Sequence, residues 1–246
     1  MEDVITIDIG NTRSKYAVFR ADNIIESGVF DPYCNDLGVV LQKYPSIRRG
    51  IISSVSGKVE ECLRSLCGVD VLVLGNDTRL PFSLSYKDRS RVGADRLALV
   101  AAAFAERPHE DNLIIDIGTC ITYDILTSDD RHLGGPISPG IRLRFKAMNE
   151  HTALLPLCEP VADNLKLLCE TTEECLQSGV INGILFEIKE FIEELFYDRN
   201  YFGMLLSAVV LILLVPAILM VIATQIIFWI GMALGYIYNL GNKKIS

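Results

Sequence analysis

One short pattern occurs twice in this chain: an apolar run that ends in Asp-x-Gly, with a threonine just beyond. The first copy is Ile5-Thr6-Ile7-Asp8-Ile9-Gly10-Asn11-Thr12, and the second is Leu113-Ile114-Ile115-Asp116-Ile117-Gly118-Thr119. The aspartates, at positions 8 and 116, are 108 residues apart, about the size of a small domain. A second strand-like run follows each copy, Tyr16–Phe19 in one case and Ile121–Leu126 in the other. Repetition at that spacing predicts two similar lobes that face each other.

The pattern has a use in nucleotide chemistry. Glycine lets the backbone turn tightly enough for successive N–H groups to converge on phosphate oxygens. The hydroxyl of Thr12 or Thr119 adds a neutral donor, and the aspartate can hold a cation or a metal-bound water. Two such loops from facing lobes can grip a triphosphate. The chain has no GxxxxGK[ST], and no GxGxxG follows a strand, which excludes the P-loop and Rossmann readings. Either loop alone reads more readily as a strand ending in a glycine turn. The repeat favours the phosphate reading.

Around these loops the pattern predicts a β-meander over Val4–Ile9, Lys15–Phe19 and Ile24–Phe30. A short helix over Leu37–Lys43, a strand over Gly50–Val55, a helix over Lys58–Leu66 and a strand over Val69–Leu74 follow. Pro81–Arg91 reads as a polar and aromatic connection, and the Ala- and Leu-rich Leu97–Glu106 as a helix. Beyond the second copy, Arg131–Ile137 reads as a third strand, and Thr172–Leu195 has helical spacing with Thr171 or Thr172 as N-cap. Gly93-Ala94-Asp95-Arg96 lies just before the Ala-rich helix. Asp95 there is either an N-cap or a carboxylate that takes a proton from a hydroxyl attacking a γ-phosphate. Tyr86 reads either as packing or as a substrate contact.

Charge divides the 246 residues into two materials. Residues 1–199 hold all 31 acidic side chains and all but two of the 23 basic ones, a balance of −10, whereas the rest carries only Lys243 and Lys244. An acidic body lacks the basic footprint that nucleic acid needs. The seven cysteines are odd in number, never spaced as CxxC, and far from the three histidines. No zinc site or disulfide framework is expected. Met1-Glu2-Asp3 leads straight into a strand, unlike a secretory signal. A reduced, cytoplasmic body with ordinary buried thiols is the expectation.

Tyr201–Leu240 is forty residues without a charge. A bilayer core needs about 20 apolar residues per helix, so this stretch suffices for one tilted span or a tight hairpin. Pro216 would kink it, Thr224-Gln225 would interrupt it, and Trp229, Tyr236 and Tyr238 suit an interfacial belt beside Lys243-Lys244. A buried core helix is the competing reading.

Taken in order, Asp8-Ile-Gly10-Asn11-Thr12, Gly93-Ala-Asp95-Arg96, Asp116-Ile-Gly118-Thr119, Gly134-Gly-x-Ile137-x-Pro139-Gly140, and Thr172 ahead of Gln177-Ser178-Gly179 make residues 1–196 resemble the type III pantothenate kinases. The resemblance implies an α/β fold of two ribonuclease-H-like lobes, as in the sugar-kinase/Hsp70/actin-like ATPases. It implies ATP-dependent phosphorylation of pantothenate, the first step toward coenzyme A. Asp8, Ile9, Gly10, Asn11, Thr12, Arg13, Ser14 and Lys15 would form the ATP phosphate loop, with Thr119 also on ATP. Asp95 would be the base. Tyr86, Gly93, Ala94, Asp95, Arg96 and Thr172 would contact pantothenate, and Asp116 would hold a monovalent cation, potassium or ammonium. Magnesium with ATP and a homodimer are implied as well.

After Phe196 the resemblance stops, and the family's Thr-Gly-Gly turn is missing. The expected organisation is thus a first lobe over 1–110, an incomplete second lobe over 111–199 with an open sheet edge, and a helical, membrane-spanning tail over 200–246. Two other functional readings stand beside the kinase. One is a catalytically impaired, membrane-anchored nucleotide-binding protein, and the other a kinase of the same fold for a different hydroxylated substrate.

Overall fold

The computed structural model describes residues 2–11, 13–21, 23–30, 35–56, 59–75, 77–161, 166–197 and 210–212. Isoleucines at every second position of β1 (Asp3–Ile9) are at most 2% exposed, and Thr6 on the opposite face is buried too. A strand covered on both faces belongs in the middle of a sheet. β1 is there: β2 (Ser14–Arg20) and β3 (Asn23–Phe30) extend it as an antiparallel meander on one side. β4 (Ile47–Ser54) and β5 (Asp70–Val73) add in parallel on the other, giving the order β3-β2-β1-β4-β5. The helices α1 (Asn35–Lys43) and α2 (Val59–Ser65) make the crossovers that parallel pairing requires. Leu37, Val40, Cys62 and Leu66 close the core over Ile5, Ile7, Ile9 and Ile52.

The second sheet repeats this plan. β7 (Asn112–Ile117), β8 (Cys120–Leu126) and β9 (Arg131–Gly134) form another antiparallel meander. β11 (Val210–Ile212) lies parallel to β7, where β4 lies against β1. Two short strands complete the sheet: β6 (Ser83–Leu84), parallel to β9, and β10 (Ile137–Pro139), antiparallel to β8. The described order is β11-β7-β8-β9-β6.

Two expectations change here. The free edge of β7 is occupied, by residues of the apolar stretch itself, so the second sheet is not left open there. Residues 210–212 are strand rather than membrane helix. Val-Leu-Ile suits a buried parallel strand as well as a lipid-facing helix, and composition alone does not separate the two. The rest of the expected membrane-spanning tail, with its interfacial aromatics and lysines, lies outside the described residues. Among those described, no helix is long and apolar enough to cross a membrane.

Between the sheets runs α3 (Ala94–Glu106). Its small residues Ala98, Ala101 and Ala102 are almost completely buried, which lets strands approach on two sides. Leu97, Val100 and Phe104 share one core with Ile51 and Leu74 of the first lobe and with Ile114 and Leu126 of the second. On the far side of the second sheet, α4 (Ile141–Glu150) and α5 (Thr172–Tyr197) pack Phe145, Leu176, Val180, Ile184 and Ile188 against Leu113, Ile115 and Ile121. Of the described cysteines, 67, 120, 158, 169 and 175 are free, whereas Cys62 is disulfide-bonded, against the expectation of a body with thiols only.

Candidate active site

The first Asp-x-Gly loop is closed by its own backbone. The Gly10 N–H donates to the Arg13 carbonyl at 3.1 Å, and a Cβ at Gly10 would come within 2.9 Å of that oxygen. β4 supports the turn from the side, where the Val55 N–H donates to the Ile9 carbonyl at 3.1 Å. The antiparallel register then sets Lys15 opposite Asp8 and buried Ser14 opposite Ile9, leaving Asn11 and Arg13 exposed at the tip. Thr12 lies outside the described residues.

The second loop turns one residue sooner, with the Gly118 N–H on the Cys120 carbonyl at 3.0 Å. Here the register partner of the aspartate is Thr122, not a lysine. Thr119 is exposed, and its carbonyl accepts from the Gly140 N–H at 2.9 Å. A Cβ on Gly140 would lie 2.2 Å from the Gly118 carbonyl oxygen and 2.6 Å from that of Thr119. Only glycine permits that approach, so the Ser138-Pro139-Gly140 turn is the support of loop two. Glu187 on α5 holds this turn in place. It accepts from Ser138 Oγ at 2.5 Å, Arg144 Nη2 at 2.5 Å and Tyr123 Oη at 2.9 Å.

Asp95 comes from a third element. Gly93 is the N-cap of α3 and makes no side-chain cap, so Asp95 lies in the first turn, where its Oδ1 accepts the Arg96 N–H at 2.8 Å. Gly93, not Asp95, holds the N-cap position.

These groups lie within electrostatic reach of one another. The Asp116 carboxyl is raised to about 6, chiefly by burial and then by the negative charges of Asp95 and Asp8. Burial also raises Asp8 to about 6, with Lys15 opposing and Asp95 adding to the rise. Asp95 is raised too, mainly by burial, while the Arg96 amide and guanidinium pull it back. Three carboxylates from β1, α3 and β7 therefore sense one another, with Lys15 as a countercharge.

Arg96 is almost fully committed. Its Nε meets both Asp124 oxygens at 3.1 and 3.0 Å, and Nη2 meets Asp124 Oδ1 at 2.7 Å. Nη2 also donates to the carbonyls of Tyr123 at 2.9 Å and Gly135 at 3.3 Å, and Nη1 to Tyr86 Oη at 2.9 Å. His132 Nε2 approaches Asp124 Oδ1 at 2.6 Å, and its ring stacks on Tyr86. Tyr86 and Arg96, singled out separately in the sequence, are thus joined. Asp124 and His132 were missed. The available signal was a charged residue inside the apolar run Ile121–Leu126, which must find a partner when buried. Thr172 opens α5 and is exposed, while its neighbour Thr171 makes the cap by accepting the Glu174 N–H at 3.1 Å. No described contact links Thr172 to the aspartate group.

The donor set fits hard cations: carboxylate and hydroxyl oxygens, with no thiol or imidazole among the three aspartates. Among the described residues no cluster of three or more His, Cys, Asp or Glu side chains could hold a metal ion unaided. A cation here would need oxygens from a nucleotide or water to complete its shell.

Paired Asp-x-Gly loops on matched sheets, with a carboxylate on the helix between them, make up the candidate site of this α/β fold. The type III pantothenate kinase family model matches residues 4–194. A type III pantothenate kinase from Christiangramia forsetii is 41% identical over 202 residues, covering 80% of this chain and 81% of that protein. Another, from Flavobacterium psychrophilum, is 40% identical over 194 residues, 77% and 80% of the two chains. The chain belongs to the type III pantothenate kinase family. Among solved structures, it is also similar to a Campylobacter jejuni protein described as a Baf family transcriptional activator. That likeness has a TM-score of 0.48 and 22% identity, covering 76% of this chain and 78% of the other.

Proposed function

We propose that this chain is a pantothenate kinase that moves the γ-phosphate of ATP to the primary hydroxyl of pantothenate, giving 4'-phosphopantothenate. The observation that carries the reading is the convergence of Asp8, Asp95 and Asp116, from three separate elements, on one site that also contains Lys15. Both lobes are of the ribonuclease-H-like, actin-like type, divided near residue 110. The loop from Asp8 to Lys15 receives the ATP phosphates. Its backbone N–H groups and the Lys15 ammonium supply positive charge where phosphate arrives. Thr119 contacts ATP from the opposite loop.

Asp95 acts as the base. Its carboxylate takes the hydroxyl proton while the freed oxygen attacks the γ-phosphorus and ADP leaves with the bond's electron pair. A carboxyl raised by burial is a stronger proton acceptor than an exposed one, which suits that task. Tyr86, Arg96 and the Gly93–Ala94 backbone form the acceptor wall, with Thr172 closing it in the bound state. Asp116 would hold a monovalent cation, and a divalent ion would enter with ATP; such charges neutralise the phosphates and the crowded carboxylates. A homodimer is part of the same proposal.

ATP-dependent conversion of labelled pantothenate by the full chain is the expected result, lost in Asp95→Asn with the fold intact. Wild-type protein that binds ATP tightly yet makes no phosphopantothenate would overturn the reading. Turnover of another hydroxylated compound in its place would do so as well.

A further inference from the structure

Arg96 is a residue that a substrate acid or amide would meet, yet almost all of its hydrogen-bonding capacity is spent inside the protein. Only Nη1, with two hydrogens and one described bond, to Tyr86, has an N–H left for a ligand. Where that N–H stands is decided by what holds the other side of the guanidinium. Asp124 does so, with its carboxylate fully buried in β8 and both oxygens engaged. A bidentate fork of this kind fixes the plane of the guanidinium as well as its position.

Asp124 is itself oriented by His132. A carboxylate can only accept, so the hydrogen in the 2.6 Å contact belongs to His132 Nε2. His132 Nδ1 is buried and has no partner among the described residues. The ring is held instead by its faces and edges. It stacks on Tyr86, centroids 6.1 Å apart and planes 19° from parallel, and meets Phe82 edge-on at 6.2 Å. His132 thus touches both members of the acceptor wall, Arg96 through Asp124 and Tyr86 through its face. The glycine at 134 has φ +78°, and a Cβ there would come within 2.4 Å of the Tyr86 ring, so the backbone beyond β9 also shapes itself to that ring.

Resting on the kinase reading above, we propose that Asp124 and His132 are positioning residues for the acceptor substrate, setting the geometry in which Arg96 and Tyr86 meet pantothenate. They act through those two side chains; the Asp124 charge also reaches Asp95 and Asp116, which makes the charge-neutral His132 variants the cleaner test. The expected signature is an effect on one substrate only.

The test is steady-state kinetics on the full-length protein with each substrate varied in turn. His132→Phe keeps the stacked ring and removes the N–H. It is expected to raise the KM for pantothenate about tenfold and leave that for ATP within twofold, as loss of one charge-assisted hydrogen bond predicts. Asp124→Asn is expected to raise the pantothenate KM by about 10- to 100-fold on the same grounds, with a smaller change in kcat. His132→Gln, whose amide can again donate, should recover part of what His132→Phe loses. A purely structural role would shift both KM values together or move only the melting temperature, and either result overturns the proposal. So does an unchanged pantothenate KM in a folded variant. If Asp124→Asn does not fold, the two His132 variants decide. Failure of the wild type to phosphorylate pantothenate would instead sink the kinase reading, which keeps the two failures apart.

Discussion

The two Asp-x-Gly loops start from the same sequence pattern and end as different devices. Loop one, one residue longer, returns with Lys15 across from its aspartate, whereas loop two returns with Thr122. Both aspartates are raised to about 6, but the balance differs. Lys15 is the main force opposing the rise at Asp8, while at Asp116 the next largest influences after burial are two more carboxylates. Their supports differ as well: loop one leans on the strand end at Val55, loop two on the turn at Gly140. Under the proposed function, one register position would divide a duplicated motif between an anion task and a cation task. The motif supplies the turn, and its strand partner selects the charge.

The sharpest break of this picture is at the residue between the loops. Asp95→Asn is expected to lower kcat by about 10²- to 10⁴-fold, the usual worth of a general base, with the melting temperature nearly unchanged. Turnover at the wild-type rate would remove Asp95 from the chemistry. Next comes Lys15→Met, expected to raise the KM for ATP by about 10- to 100-fold, since a charge-assisted contact is worth about 1.5–3 kcal/mol. Thr122→Ala at the matching position of loop two should leave that KM within a few-fold. Equal effects at both positions would dissolve the division of labour.

Steric support gives a smaller contrast. Gly140→Ala pushes a methyl into two backbone carbonyls and should cost about 1–3 kcal/mol, measured by denaturant unfolding. Gly10→Ala meets a single carbonyl at 2.9 Å and should cost less. The reverse order would mean that loop two does not depend on the Gly140 turn.

The smallest effect concerns pH. Because the folded Asp116 carboxyl is raised to about 6, the folded state binds its proton more tightly than the unfolded one. Its contribution to stability is therefore intact near pH 4 and declines as pH rises to about 6. Asn carries no such penalty. Without added cations, Asp116→Asn should melt a few degrees above wild type at pH 7.5 and level with it near pH 4.5, read by calorimetry. Potassium should narrow the gap at pH 7.5 by stabilising only the wild type. A variant less stable than wild type at both pH values would show that the carboxylate is not under strain.

Much of this was legible because it is local. Alternating isoleucines in β1 and the repeated turn announce both meanders, and α3 is visible in its alanines. What escaped depends on distance or brevity. α4 buries only Phe145 among three basic side chains, so its apolar stripe is too thin to read. β6 has two residues and no pattern of its own. Arg96 and Asp124 are 28 residues apart, and only the fold joins them. At β11 the composition was plain, but it answers equally to lipid and to a neighbouring strand.

β6 leaves the first lobe to pair with β9 before the chain comes back through α3, whose core belongs to both sheets. Cutting the polypeptide near residue 110 would therefore not release two self-sufficient halves. The leading fragment would carry an orphaned ribbon and a greasy helix flank, and the trailing one a sheet stripped of its cover. Co-expression of the pieces, rather than either in isolation, is the route by which a split version of this molecule would reassemble.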